Sequence, residues 1–264
     1  MQPKLADLMK TLKLTGMAQV LERELALAEK EGLAAAQLIE RLLIEEFHYR
    51  QERSLLYRIK QGRIPWPWTL ASFPFDRQPG VSKSQIMGLA SLAFVDRAEN
   101  VVFIGDPGTG KTGLAISLLR QALVSGRRGR FYKAQDLSDE LYASLADRSS
   151  PQLFKRLAAY DLLLIDELGY LTLNPEQVNA FFKLMDERYS RKSTIITTNL
   201  DYPQWYDLFN RKPLVDALLD RLQHRCVTIR ISGPSLRTPS QTESQKANHN
   251  SSTKQNSKSK PATK

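Results

Sequence analysis

Cysteine is all but missing from the 264 residues: Cys226 is the single one. An internal disulfide framework is therefore excluded. Cys226 lies in the apolar, β-branched run Cys226-Val227-Thr228-Ile229 and reads as a buried structural thiol. Histidine is nearly as scarce. His48, His224 and His249 show no metal-ligand spacing, and without a Cys/His cluster a zinc site has no ligands to draw on. No run of eighteen apolar residues occurs, so no segment is expected to cross a membrane. The start, Met1-Gln2-Pro3-Lys4, leads into an amphipathic pattern and not into the apolar core of a secretion signal. Internal repeats are absent as well. These absences predict a cytoplasmic protein, and a hydrophobic content of 42% is enough to build its core.

Positive charge, in contrast, is in excess. The formal net charge is +10. Residues 240–264 hold five lysines and one glutamate, so about +4 of it sits in a tail and +6 remains with the rest. A surplus of that size points to a polyanionic partner, most often nucleic acid.

One stretch organises the chain. Val101-Val102-Phe103-Ile104 reads as a buried strand. Gly105-Asp106-Pro107-Gly108-Thr109-Gly110-Lys111-Thr112 follows, of the form G-x-x-x-x-G-K-T. Leu114, Ala115, Ile116, Leu118, Leu119, Ala122 and Leu123 then recur at helical spacing, from Gly113 onward. Strand, glycine-rich loop and helix form a phosphate-binding context. Glycines let loop amides turn inward, and the first helical turn adds free N–H groups and partial positive charge. Lys111 is placed to reach β- and γ-phosphates and the Thr112 hydroxyl to ligate Mg²⁺. No Asn-Lys-x-Asp run suggests guanine recognition, so ATP is favoured over GTP.

A second strand, Leu162-Leu163-Leu164-Ile165, is an unbroken apolar run ending in Asp166-Glu167. Such a run suits a strand buried on both faces of a parallel sheet, whose ligands sit at the carboxyl ends of strands. Asp166 is expected to hold Mg²⁺ opposite Thr112, and Glu167 to orient and polarise the attacking water. Asn199 ends a further strand, Ser193-Thr194-Ile195-Ile196-Thr197, and can hydrogen-bond the γ-phosphate or that water. Arg221, ahead of Arg225, is expected to reach the nucleotide of a neighbouring subunit as an arginine finger.

The rest of the chain follows from pattern. Residues 1–63 read as three or four helices, with apolar stripes at Leu5, Leu8, Met9, Leu12 and Leu14 and at Met17, Val20, Leu21, Leu25 and Ala28. Their end is basic and aromatic: Arg50, Arg53, Arg58, Lys60 and Arg63 stand beside Tyr49, Tyr57, Trp66 and Trp68. Cations neutralise phosphate and planar rings stack on bases, so this end is the candidate DNA contact; packing of the tryptophans on the next domain is the alternative. Ile64-Pro65-Trp66-Pro67-Trp68 cannot be helix interior, which makes 64–80 a linker. Val81 to Phe94 reads as one helix, and Arg130 to Ala134 and Cys226 to Ile231 as two more strands. Residues 239–264 are a Ser, Gln, Asn, Lys and Thr tail that is expected to be disordered.

With these motifs in place, residues 1–238 resemble the IstB-like transposition helper proteins of insertion sequences, AAA+ ATPases of the helicase-loader clade. Arg-Gln-Glu-Arg at 50–53, Phe73-Pro74-Phe75 and Asp220-Arg221-Leu222 narrow the resemblance to that family. It implies an α/β fold: an AAA+ P-loop NTPase domain at 81–238, with a five-stranded parallel sheet of order 5-1-4-3-2, behind a small helical N-terminal domain. It also implies ATP and Mg²⁺ as ligands, ATP-dependent homo-oligomerisation on double-stranded DNA through Arg221, and a partner transposase. Lys111 and Thr112 match its Walker A motif, Asp166 and Glu167 its Walker B motif, and Asn199 its sensor 1. Gly113 stands where a larger residue is expected, Ser235-Leu236-Arg237 departs from an expected Ser-Tyr-Arg, and no helical lid domain is expected after the fifth strand. A DnaC-type replicative helicase loader and a small-molecule kinase are the rival readings.

Overall fold

The structure, a computed structural model, describes residues 3–237. Three helices come first: α1 (Pro3–Thr11), α2 (Thr15–Glu31) and α3 (Ala35–Gly62). Then follow α4 (Lys83–Ala90), α5 (Ala93–Asp96), β1 (Asn100–Gly105), α6 (Lys111–Val124), β2 (Gly129–Lys133), α7 (Ala134–Ala146), α8 (Ser150–Ala158) and β3 (Leu162–Asp166). The last elements are α9 (Pro175–Arg188), β4 (Ser193–Thr198), α10 (Trp205–Phe209), α11 (Lys212–His224) and β5 (Cys226–Ile231). The expected disordered tail lies outside the described residues.

All five strands are parallel, in the order β2-β3-β4-β1-β5, which is the expected 5-1-4-3-2 taken from the other edge. The unbroken apolar runs are resolved by the pleat, which sends successive side chains to opposite faces. Val101, Phe103, Leu162, Leu164 and Ile195 join one core with α4 and α6. Val102, Leu163, Ile165 and Ile196 join the other with α7, α8, α9 and α11. Helix α6 sits centrally, with Leu114, Ile116, Leu118 and Leu119 fully buried. A helix so enclosed holds its first turn rigidly, and that turn carries Lys111 and Thr112.

Arg188 was not foreseen as structural. Fully buried, it donates to Leu157 O at 2.7 Å, Tyr160 O at 2.9 Å, Ser193 O at 2.5 Å and Thr194 Oγ1 at 3.1 Å. Its planar fork ties the ends of α8 and α9 to the start of β4, and burial pulls its pKa down to about 9. Cys226, expected to be buried, is partly buried, and desolvation in those surroundings pushes the thiol pKa up to about 11.

The segment 81–94 differs from the single helix expected. Ser82 caps α4 by accepting from Gln85 N at 3.3 Å. The chain then breaks at Leu92, whose φ of 63° lies in the left-handed region, and α5 begins anew. The break seats the Leu92 side chain in the core.

The first three helices pack around Met9, Leu21 and Leu42. Of the first expected stripe only Met9 is buried; Leu5, Leu8 and Leu12 are exposed, Leu12 at 62%. Helix α3 runs 28 residues and ends against α6 and β2. Arg58 Nε donates to Leu123 O at 2.8 Å, and Arg130 Nη1 donates to Gln61 O at 2.8 Å. These two crossed bonds dock the helical segment onto the sheet region through α3.

Candidate functional site

The loop between β1 and α6 has the form its glycines require. Gly108 and Gly110 lie in the left-handed region, at φ 85° and 94°. A Cβ on Gly108 would stand 2.2 Å from Ser235 Oγ, and one on Gly110 would stand 2.8 Å from the Phe73 ring. The backbone is therefore open to a ligand on one side and packed on the other. Thr109 Oγ1 donates to Asp106 O at 2.7 Å and closes the turn.

Lys111 folds back over this loop, its Nζ donating to Gly105 O at 2.6 Å and Asp106 O at 2.8 Å. Burial pulls its pKa below the usual lysine value, against the attraction of Asp166 and Asp106. Across the sheet, Thr112 Oγ1 donates to Asp166 Oδ1 at 2.8 Å. Thr197 Oγ1, on β4, donates to the same oxygen at 2.5 Å and accepts from Glu167 N at 3.0 Å. One threonine thus fixes both acids. Asp166 is 1% exposed; burial pushes its carboxyl up, against the hydrogen bonds from Thr197 and Thr112. Glu167 is exposed, and its backbone sits at φ 64°, a left-handed conformation that costs a non-glycine residue about 1–2 kcal/mol. The Thr197 bond holds that strained turn where the two acids part, one inward and one to solvent.

A cavity of about 710 Å³ opens over these groups, within the size range of small-molecule sites. Pro107, Gly108, Gly110, Lys111, Thr112, Gly113, Asp166, Glu167 and Asn199, all expected at the site, line it. Asn199 Oδ1 is buried with no hydrogen-bond partner among the described residues. A glycine-lined cradle at the start of a 14-residue helix and one ammonium fit a polyphosphate, while the Asn199 oxygen, an acceptor, suits a donor such as water. Among the described residues no group of three His, Cys, Asp or Glu gathers to hold a metal. A Mg²⁺ ion would rest on Thr112 and Asp166 with phosphate oxygens, as that ion prefers.

The remaining wall comes largely from the segment after α3, whose tryptophans take the alternative place expected for them, against the next domain. Trp66, Trp68, Phe73, Pro74 and Arg77, all from the segment after α3, line the same cavity with Tyr170, Leu236 and Arg237. Trp66 and Trp68 therefore stand at the phosphate loop, the second of the two places that the sequence left open. A Cβ on Gly113 would stand 3.5 Å from the Trp68 ring, an ordinary van der Waals contact, so nothing in the structure explains the glycine there. Gln78 staples the arrangement, its Nε2 donating to Thr109 O at 3.1 Å and Pro234 O at 3.0 Å. Leu236 N donates to Gly108 O at 2.8 Å and brings Arg237 to the cavity. The abundance of Trp and Pro at 64–80 was the available signal for this wall, but nothing local said which surface it covers.

Other expected residues stay apart from the cavity. Arg221 pairs with Asp186 at 2.8 Å and lies 5.6 Å from the centre of the Tyr189 ring. Arg50 pairs with Glu46 at 2.7 Å, and Arg53 lies over Tyr49. Arg58 departs from its expected place among free phosphate contacts, since its Nε is spent on Leu123 and its Nη1 on Ser54. Lys60 and Arg63 are exposed.

This loop, its strand-end acids and the order of the sheet agree with what comparison finds. Residues 7–244 match the family described as "IstB-like ATP binding protein". The chain belongs to that family. Its relatives include the "Insertion sequence IS21 putative ATP-binding protein" of Pseudomonas aeruginosa, 36% identical over 89% of this chain and 88% of that one. A counterpart from insertion sequence IS232 of Bacillus thuringiensis subsp. berliner is 34% identical over 86% of this chain and 90% of its own. Among solved structures, the DnaC helicase loader superposes with a TM-score of 0.53 at 24% identity, over 63% of this chain and 98% of that one. The replication initiator DnaA, bound to AMPPCP and single-stranded DNA, gives 0.54 at 19%, over 65% and 52%. These likenesses show that this IstB-like chain has the α/β P-loop fold of the helicase loaders. No helix among the described residues is long and apolar enough to cross a membrane.

Proposed function

We propose that this IstB-like protein is an ATP-hydrolysing helper of DNA transposition that assembles on duplex DNA and recruits or activates a partner transposase. The observation that carries the reading is the Thr112–Asp166 bond, which joins the phosphate loop to the strand-end acids in a chain whose relatives are named for insertion sequences and ATP binding.

Each residue has its task. The loop amides and the N-terminus of α6 cradle the β- and γ-phosphates, and Lys111 exchanges its two carbonyl partners for phosphate oxygens. Thr112 and Asp166 would hold Mg²⁺, which would neutralise charge on those oxygens. Glu167 orients the attacking water and takes its proton, while Asn199 hydrogen-bonds the water or the γ-phosphate. Trp66 and Trp68, with Phe73, form an aromatic wall beside the phosphate loop on which the base stacks. Arg221 leaves Asp186 to reach the nucleotide of an adjacent subunit, an exposed pair of this kind being worth only about 0–1 kcal/mol.

Two measurements test this. ATP turnover by the purified chain should rise several-fold on adding duplex DNA, and Arg221→Ala should remove most of it, by about 10³-fold at the low end of what an arginine finger supplies. Turnover indifferent to DNA would overturn the helper reading. Tryptophan emission should change on adding ATP through Trp66 and Trp68, which are 47% and 37% exposed, and not through the fully buried Trp205. In the Trp66→Phe/Trp68→Phe protein the change should vanish. Stacking is worth about 1–3 kcal/mol per base, so Trp68→Ala should weaken ATP binding by about tenfold or more. An undiminished emission change in the double variant would remove the aromatic face from the site.

A further inference from the structure

The helical segment is electrically polarised. Residues 1–13 and 47–63 together hold eight Lys and Arg against two Asp and Glu; residues 14–46 hold three against seven. The fold brings the two basic pieces together. A notch of about 550 Å³ lies where the turn from α1 to α2 meets the second half of α3, and Lys10, Lys13, Arg50 and Arg53 line it with Thr15, Glu46 and Tyr49. Four cations face one carboxylate.

That carboxylate is already engaged. Glu46 is buried and accepts from Met17 N at 3.1 Å, capping α2, and from Arg50 Nε at 2.7 Å. Arg50 also donates to Lys13 O at 3.4 Å and so pins the turn that carries Lys13. The Lys10 and Lys13 side chains are exposed, and neither ammonium has a hydrogen bond or ion pair among the described residues. Arg53 rests only against Tyr49. Two free ammonium groups and one lightly held guanidinium stay uncompensated at one place, beside the Arg50–Glu46 ion pair. Two turns further along α3, Arg58 is consumed in docking.

We propose that this notch binds backbone phosphates of duplex DNA, with Lys10 and Lys13 making the contacts and Arg50 and Arg53 completing the site. The proposal rests on the reading that the protein binds DNA, and it names residues that the basic run at 50–63 did not include. A duplex carries one charge per about 1.7 Å of axis, so it offers several phosphates to cations gathered in one notch. The notch is also carried by the helix that docks on the nucleotide domain, so a phosphate gripped there is held at a set position from the ATP site.

The test is a salt titration of the full-length protein on a fluorescent 30-base-pair duplex of arbitrary sequence, with ATP, read by anisotropy. Each phosphate contact contributes about 0.9 to the slope of log K against log salt. Lys10→Gln/Lys13→Gln should lower that slope by about 1.8 and weaken binding, while ATP turnover without DNA stays unchanged, which shows an intact fold. Arg23→Gln/Lys30→Gln removes the same charge from the acidic end and should leave slope and affinity alone. If the unaltered protein binds duplex and the Lys10/Lys13 variant keeps its slope, the notch is overturned and DNA binding stands. If both variants fall equally, binding follows net charge and the notch is likewise overturned. If the unaltered protein binds no duplex, the DNA reading itself fails, and the notch is left to an acidic protein partner.

Discussion

Replacing Glu167 by Gln is expected to lower ATP turnover by about 10²-fold or more while ATP is still bound. The two side chains have the same shape, so the left-handed turn at 167 and its Thr197 bond survive. What disappears is the group that accepts the proton from water. Its neighbour cannot substitute: Asp166 is buried and spends Oδ1 on two threonine hydroxyls, whereas Glu167 is exposed over the cavity. Adjacent in sequence, the two acids therefore differ in environment, which is the usual basis for dividing a metal-holding role from a base role. Steady-state phosphate release checks the rate and calorimetry the binding. Full turnover by Glu167→Gln would remove the base from this scheme.

Lys111→Ala acts earlier, on binding. The ammonium is the one cation carried by the phosphate loop, and a hydrogen bond to a charged group is worth about 1.5–3 kcal/mol. Its loss should raise the Kd for ATP by about 10- to 150-fold and take turnover with it. The fold should survive, since the bonds that Lys111 makes here are to two carbonyls at the rim of the loop and its removal relieves the burial of a charge. The two substitutions thus separate by assay: Glu167→Gln binds without turning over, and Lys111→Ala scarcely binds.

Much of this was legible where the signal is local. Leu162 to Ile165 had to be buried on both faces, because an unbroken apolar run has no polar side to show to water, and its end had to deliver Asp166 and Glu167 to the ligand edge of the sheet. The strand order was a different matter, since it came from family resemblance and not from residue pattern. Three features stayed open or escaped, for physical reasons. Leu92 breaks a helix by one backbone rotation, and an apolar residue at a helical position gives no hint of it. For Trp66 and Trp68 the sequence leaves two places open, beside the neighbouring arginines or against the next domain; a proline-bound segment is free to turn, and it turns onto the phosphate loop. Gln78 and Arg237 join the site through contacts across 31 and about 130 residues of chain, where local periodicity carries no information. The helical stripe at Leu5, Leu8 and Leu12 misled for the opposite reason: spacing marks an apolar face and does not say what covers it.

The central claim is that the loop at 105–112 and the acids at 166–167 together bind a magnesium nucleotide. Isothermal calorimetry of Mg-ATP into the full-length protein tests it most directly, with Lys111→Ala as the comparison. The account predicts saturable heat at one site per chain, strongly weakened by Lys111→Ala. No heat from the unaltered protein, or equal binding by the two, would contradict it.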